Sequence, residues 1–331
     1  MPNRSEPVRI AILDDYQDVA LLMADWSGLD RRAAITVFND HVADPDAVVT
    51  CLQPFDILCV MRERTPMTRA IIERLPRLRL IASTGLRNPS IDVEAAAERG
   101  VDVVHTGYSS TPTIELTWAL ILASARHLVA ENASLRAGGW QRSVGDDLAG
   151  RTLGVLGLGN VGGAVARIGK AFGMEVIAWS QNLTADRAVE AGAALVTREE
   201  LFRRADIVTV HLVLSGRTQG LVGAEELALM KPSARLVNTS RGPIVVEADL
   251  LAALRSGEIA GAAIDVFDQE PLPSDHPFRS QANLLATPHI GYVSRSLYAR
   301  FYQETVHNIR QWLDARDGEM IPAVGVSPRR E

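Results

Sequence analysis

Cysteine is scarce. The 331-residue chain carries two, Cys51 and Cys59, too few for a disulfide framework or a cysteine-based zinc site. A basic excess is missing as well: 34 Lys and Arg stand against 40 Asp and Glu, for a net charge of −6. That balance argues against a nucleic-acid partner, which would normally meet a basic face. No apolar run reaches the ~18 residues of a membrane span. The opening MPNRSEPVRIAILDD holds no apolar core of a secretory signal peptide. Repeats, low-complexity tracts, charge blocks and metal-ligand spacings are all absent, so no metal is expected. These absences leave a cytoplasmic protein of ordinary globular make-up, 47% hydrophobic and 22% charged. Domains commonly run to roughly 100–200 residues, so the length suits two.

What is present is alternation. Short β-branched runs at 8–13, 35–38, 56–61, 78–82 and 101–104 predict strands. Helices are expected between them, including 68–75 and 91–99, the latter ended by Gly100. Residues 112–130, PTIELTWALILASARHLVA, predict one long helix with Pro112 in its first turn. Its apolar character suits burial between domains or subunits. The alternation restarts with strands at 152–156, 175–179, 206–210, 235–238, 261–265 and 283–286 and a helix at 161–172. A final amphipathic helix is expected over 294–315. The pattern is that of an α/β chain with parallel sheets: a doubly wound second domain, and a separate α/β domain before about residue 106 with a cleft beside it.

Residues 155–163 read VLGLGNVGG, placing Gly157, Gly159 and Gly162 at the spacing G-x-G-x-x-G between a strand and a helix. Each glycine has a reason: the first allows a tight turn, the second lets the backbone approach a pyrophosphate, and the third lets helix and strand pack closely. A helix beginning at Asn160 and Val161 turns its free N–H groups toward the phosphates. The acid that usually reads the adenine ribose about 20 residues on is replaced by Ser180, followed by Gln181 and Asn182. Nothing there repels a 2′-phosphate, and the nearest arginine is Arg187, so NAD is favoured and NADP left open.

Three further strand ends carry polar groups: NTSRG at 238–242, IDVFDQEPLP at 264–273 and TPHIG at 287–291. Arg241 offers a planar guanidinium suited to bidentate capture of a carboxylate. Glu270 lies in a stretch too rich in proline to be helical, and His289 follows Pro288 just after an apolar strand. A carboxylate beside a histidine favours the imidazolium, and such a pair can move a proton at oxygen while hydride moves at carbon.

The order and spacing of VLGLGNVG (155–162), LMKPSARLVNTSRGPIV (229–245), IDVFDQEPLP and TPHIG closely resemble the D-isomer-specific 2-hydroxyacid dehydrogenase family, over nearly the whole chain. The resemblance implies two Rossmann-like domains, with a dinucleotide-binding domain (107–290) inserted into a flavodoxin-like substrate domain (1–106 and 291–331). It implies Arg241, Glu270 and His289 as the catalytic set. It also implies Gly157, Gly159, Asn160, Val161, Gly162, Ser180, His211, Thr239 and Asp265 as the cofactor site, with Asp265 on the nicotinamide carboxamide. The loop STGLRN (83–88) would bring Gly85, Leu86 and Arg87 to the substrate carboxylate, and the helix at 112–130 would join the domains and contribute to a homodimer. The chain departs from the family at Arg87 and the proline that follows in TGLRNPSID, and at Tyr292, where a small residue is common and a pocket-shaping role is expected. Val213 stands where proline is common. Arg62 and Arg64, in MRERTPMT, resemble the arginine-bearing stretch of some phosphoglycerate dehydrogenases, with Arg62 expected at the substrate. His105 reads as structural, and so does His211 as far as catalysis goes. The implied function is hydride transfer between NAD(P)(H) and C2 of a small 2-hydroxy or 2-oxo acid. Phosphoglycerate dehydrogenase proper, or an NAD(H)-sensing scaffold without turnover like the family's co-repressor branch, are the alternatives.

Overall fold

Continuous β-branched runs bury both faces of a strand, and such strands assemble into parallel sheets covered by helices. The computed structural model describes residues 6–29 and 32–316 and contains two sheets of this kind, one in each of two units. The first unit comprises residues 1–109 and 295–331, of which 1–5, 30–31 and 317–331 lie outside the described residues; the second comprises 110–294.

In the first unit, β1 (Val8–Ile12), β2 (Ala33–Val37), β3 (Ile57–Val60), β4 (Leu80–Ser83) and β5 (Asp102–His105) form a five-stranded parallel sheet in the order β2-β1-β3-β4-β5. That is the flavodoxin-like order. All four residues of β3 and of β4 are buried, whereas the edge strand β5 exposes Asp102 and His105. Two of the covering helices start on aspartate caps: Asp44 accepts from Ala47 N–H at 2.8 Å and Asp92 from Ala95 N–H at 2.8 Å. The C-terminal helix Arg295–Arg316 belongs to this unit. It buries Leu297, Tyr298, Phe301, Tyr302, Thr305, Val306, Ile309 and Leu313, a stripe at helical spacing.

The second unit is a seven-stranded parallel sheet of β6 (Thr152–Leu156), β7 (Glu175–Trp179), β8 (Ala194–Leu195), β9 (Ile207–Val210), β10 (Arg235–Asn238), β11 (Gly261–Ile264) and β12 (Leu284–Ala286). Its order is β12-β11-β10-β9-β6-β7-β8, so the direction of winding reverses between β6 and β9. A doubly wound sheet gathers ligands at the carboxyl ends of its strands beside such a reversal. Leu156, Val210, Leu236 and Ile264 are among the buried residues of these strands, and Phe202, from the helix Arg198–Arg204, is fully buried in the same core. That helix opens on a Thr197/Glu200 capping box.

The single helix expected over 112–130 is instead two, Thr111–Ala125 and Leu128–Arg136. Neither glycine nor proline breaks it. His127 takes a left-handed conformation (φ +51°), and the free carbonyl of Ala125 accepts the N–H of Asp146 at 2.9 Å. A segment twenty residues downstream thus takes up the end of the first helix, a tertiary contact that local propensity does not encode. The short strand β8 and the helices Ala185–Glu190, Ala224–Ala228 and Glu247–Ser256 are further elements beyond those expected.

Candidate active site

The glycine-rich turn sits at the reversal. Gly157 has φ +94°, a conformation that side chains resist, and a Cβ there would lie 2.6 Å from the carbonyl oxygen of His211. A Cβ on Gly162 would collide with the carbonyl of Gly157, while one on Gly159 would meet nothing within 4 Å. The turn is therefore tight at the first glycine, closely packed at the third and open at the second. The N–H of Gly157 donates to Trp179 O at 2.9 Å and that of His211 to Leu156 O at 2.7 Å, which sets Ser180 and His211 on either side of the turn. Asn160 and Val161 begin a twelve-residue helix that no side chain caps. Open space over Gly159, before an uncapped helix start, fits a dinucleotide pyrophosphate.

Desolvation governs the two titrating groups nearest this edge. The imidazole of His211, 2.9 Å from Thr209 Oγ1, is pushed down to about 3 by burial and stays neutral. Asp265 is 1% exposed, and burial raises its carboxyl above the usual range despite its hydrogen bonds and the nearby His289. Those bonds define its position. Oδ1 accepts from Thr287 Oγ1 (2.6 Å) and Ile290 N–H (2.8 Å), and Oδ2 accepts from Gly291 N–H (2.7 Å). Asp265 thus fastens β11 to the loop after β12. Thr287 lies in the TPHIG stretch, 22 residues from Asp265 in the sequence, so no local signal marks this link.

Arg241, Glu270 and His289 follow β10, β11 and β12, three neighbouring parallel strands, and so rise from one edge of the sheet. Arg241 stands in a loop braced from both sides. Asn238 Nδ2 donates to its carbonyl at 2.9 Å, Ser240 Oγ donates to Leu212 O, and Gly242 packs on the backbone of Phe267 so closely that a Cβ would not fit. Thr239 is buried, its hydroxyl 2.8 Å from that of Thr117. Glu270 accepts the N–H of Phe267 on Oε1 at 2.9 Å and holds His289 Nδ1 on Oε2 at 2.5 Å. His289 has φ +52°, uncommon for a residue with a side chain, and its N–H donates to Thr287 O at 3.0 Å. Tyr292 is 6% exposed, its ring 5.4 Å from that of His289 and nearly perpendicular.

The residues expected to bind a substrate carboxylate, other than Tyr292, lie in the first unit, around the loop after β4. Gly85 has φ +85°, and its N–H is already given to Thr106 Oγ1 at 2.8 Å. Leu86 and Arg87 are the exposed residues of the loop. Arg62 is bound to this loop at every level. Its N–H donates to Thr84 Oγ1, its Nη1 to Thr84 O and Arg87 O, and its carbonyl accepts from Asn88 Nδ2. Arg64 donates to Asp14 O at 2.6 Å and Tyr298 Oη at 3.1 Å and stacks on Tyr16. Burial lowers the pKa of His105, which lies beside Gly85 and Arg62. Among the described residues no cluster of His, Cys, Asp and Glu could hold a metal ion, and no helix is long and apolar enough to cross a membrane.

A glycine turn at the reversal and three polar loops on one sheet edge define a nicotinamide-dependent oxidoreductase, and known proteins agree. Residues 118–291 match the family described as D-isomer specific 2-hydroxyacid dehydrogenase, NAD binding domain. The chain is 41% identical over 249 residues to a glyoxylate reductase of Aeropyrum pernix, covering 72% of this chain and 74% of that one. It is 42% identical over 240 residues to a D-3-phosphoglycerate dehydrogenase of Methanocaldococcus jannaschii, covering 71% of this chain but 45% of the relative. A crystal structure of a phosphoglycerate oxidoreductase from Vibrio cholerae superposes with a TM-score of 0.88 at 37% identity, covering 93% of this chain and 99% of that one. The chain belongs to the D-isomer specific 2-hydroxyacid dehydrogenase family, as an NAD-dependent enzyme.

Proposed function

We propose that this dehydrogenase interconverts a small 2-oxo acid and its D-2-hydroxy acid, with His289 as the acid/base, Glu270 as its partner and Arg241 as the carboxylate anchor. The observation that carries the reading is the 2.5 Å contact between His289 Nδ1 and Glu270 Oε2, which leaves Nε2 as the ring atom available for chemistry. NAD(H), when bound, supplies or accepts the hydride at C2. Gly157, Gly159 and Gly162, with the helix start at Asn160 and Val161, would hold its pyrophosphate. Ser180, His211 and Thr239 would border the nucleotide, and Asp265, which fastens the His289 loop, would serve its nicotinamide end.

In the direction of reduction, Arg241 binds the carboxylate and polarises the C2 carbonyl, a preorganised positive site for charge developing on oxygen. Protonated His289 gives its Nε2 proton to that oxygen while Glu270 balances the imidazolium charge; in oxidation the neutral ring takes the proton back. In the first unit, the backbone amides of Leu86 and Arg87 are the groups we assign to a substrate carboxylate, because the amide of Gly85 is engaged by Thr106. Residue 85 then contributes its left-handed turn rather than a donor.

The arginines bear on which acid is used. Arg62 and Arg64 are held by protein acceptors, whereas the exposed Arg87 side chain has no acceptor among the described residues. The engagement of Arg62 and Arg64 supports an unphosphorylated acid of the glyoxylate or hydroxypyruvate kind, and Arg87 is the arginine that a phosphorylated acid would recruit. NADH oxidation measured against glyoxylate, hydroxypyruvate and phosphohydroxypyruvate decides it. A higher kcat/KM for either unphosphorylated acid is expected, and a preference for the phosphorylated one would reassign Arg62, Arg64 or Arg87 to the phosphate. NADPH run in parallel reads the neutral Ser180–Gln181–Asn182 edge.

A homodimer in a cytoplasmic setting completes the proposal. The dimer is supported by the apolar residues exposed over one stretch of the second unit: Leu128, Val129, Leu135, Trp140 and Val144. The setting is supported by Cys51 and Cys59 both being free thiols.

A further inference from the structure

We propose that Tyr292 is a positioning residue for His289, its ring walling the imidazole so that Nδ1 stays on Glu270 and Nε2 faces the reacting oxygen. The inference rests on the acid/base role proposed above for His289.

The backbone around the histidine is fixed. Asp265 takes the N–H groups of Ile290 and Gly291, and Thr113 Oγ1 donates to the carbonyl of Gly291 at 3.1 Å. Both polar groups of Gly291 are therefore engaged on opposite sides. A Cβ at Gly291 would lie 3.0 Å from Asp265 Oδ2, so this segment approaches β11 closely and a side chain there would press on the aspartate. The His289 backbone is in turn set by its left-handed φ and its N–H bond to Thr287 O.

None of these contacts fixes the imidazole plane. Beyond its covalent tether at Cγ, the ring is held among the described residues by one side-chain hydrogen bond, at Nδ1, so it can still rock about the line through those two points. A swing of Nε2 by a fraction of an ångström matters, because misplacement by ~1 Å can cost on the order of 10²-fold in rate. Tyr292 supplies the missing constraint. It follows the doubly anchored Gly291, and the N–H of Ser294 donates back to its carbonyl at 3.0 Å. Its ring is 94% covered and stands at 81° to the imidazole with centroids 5.4 Å apart, an edge-to-face pair of the kind aromatic rings favour. The aromatic ring is what this role requires, so phenylalanine should serve.

The test compares wild type, Y292F, Y292L and Y292M on glyoxylate and hydroxypyruvate, with H289N as reference and NADH affinity read by fluorescence. Y292F should keep kcat within about threefold, whereas Y292L and Y292M should lose about 10- to 100-fold in kcat on both acids with KM and NADH affinity little changed. Imidazole nitrogen resonances should show one fixed tautomer for His289 in wild type and Y292F, and averaging in Y292L and Y292M. Methionine adapts flexibly to irregular space, so it serves where leucine fails to fold. Unchanged kcat in either aliphatic variant overturns the proposal. So does a change confined to KM or to the preference between acids, which is the mark of a pocket wall, and so does a loss already complete in Y292F. If H289N keeps turnover, the acid/base reading itself fails; if H289N is inactive and Y292L is not, only the role of Tyr292 falls.

Discussion

At the residue scale the cofactor cradle makes two demands. Gly157 faces the carbonyl of His211 with φ +94°, so Gly157→Ala must either clash or flatten the turn. We expect G157A to weaken NADH binding by at least about tenfold, measured by fluorescence titration, and to lower the unfolding midpoint as well, since left-handed strain costs of order 1–2 kcal/mol and the backbone carbonyl of His211 must also shift. At the end of β7 the missing carboxylate is the point of leverage. Ser180→Asp should raise the Kd for NADPH by about tenfold or more while leaving that for NADH within about threefold, because a carboxylate repels the 2′-phosphate and accepts from the 2′-hydroxyl. Equal effects on both nucleotides would place Ser180 away from the ribose. Residue chemistry was the most legible layer, because the spacing of Gly157, Gly159 and Gly162 and the strings around Arg241, Glu270 and His289 each state a local requirement. What Asp265 and Tyr292 touch was not legible. Burial of an aspartate against Thr287, Ile290 and Gly291, or of a tyrosine ring against an imidazole, depends on which loops the sheet brings together.

At the element scale, every strand but β8 announced itself by a short apolar run and the long C-terminal helix by its period, with observed bounds within two residues of expectation. The failure at 112–130 has a different origin. The carbonyl at the end of Thr111–Ala125 is taken by Asp146, so a long-range bond ends a helix that every local signal would continue. The neutral, half-buried His211 after β9 gives these elements a pH dependence with a definite sign. Its folded pKa of about 3 lies below the ~6.5 of the unfolded chain. Its contribution to stability is therefore complete above pH ~6.5 and falls as pH drops toward 3, because the unfolded state takes up a proton that the native state refuses. His211→Gln should remove this sensitivity. The wild-type denaturation midpoint should fall relative to that of the variant between pH 7 and pH 5, by an amount worth up to about 2 kcal/mol. A gap that does not change with pH would mean that the imidazole is solvated.

At the scale of the whole molecule, the two sheet orders identify the architecture, and parallel crossovers explain why short runs spread over the sequence become neighbours. The apolar stretch from Leu128 to Val144 is the feature that a monomer leaves unexplained. Trp140→Glu should shift the protein toward monomer in sedimentation velocity, whereas a sedimentation profile unchanged from that of a wild-type dimer would move the interface elsewhere. Proton transfer at one edge of the second sheet is tested by NADH oxidation by wild type and His289→Asn on the preferred 2-oxo acid, with NADH affinity measured on the same preparations. The acid/base role of His289 requires equal NADH affinity and a loss of about 10²- to 10⁴-fold in kcat, the range a positioned general acid supplies. Equal affinity with kcat within a few-fold of wild type would contradict it and take the acid/base role away from His289.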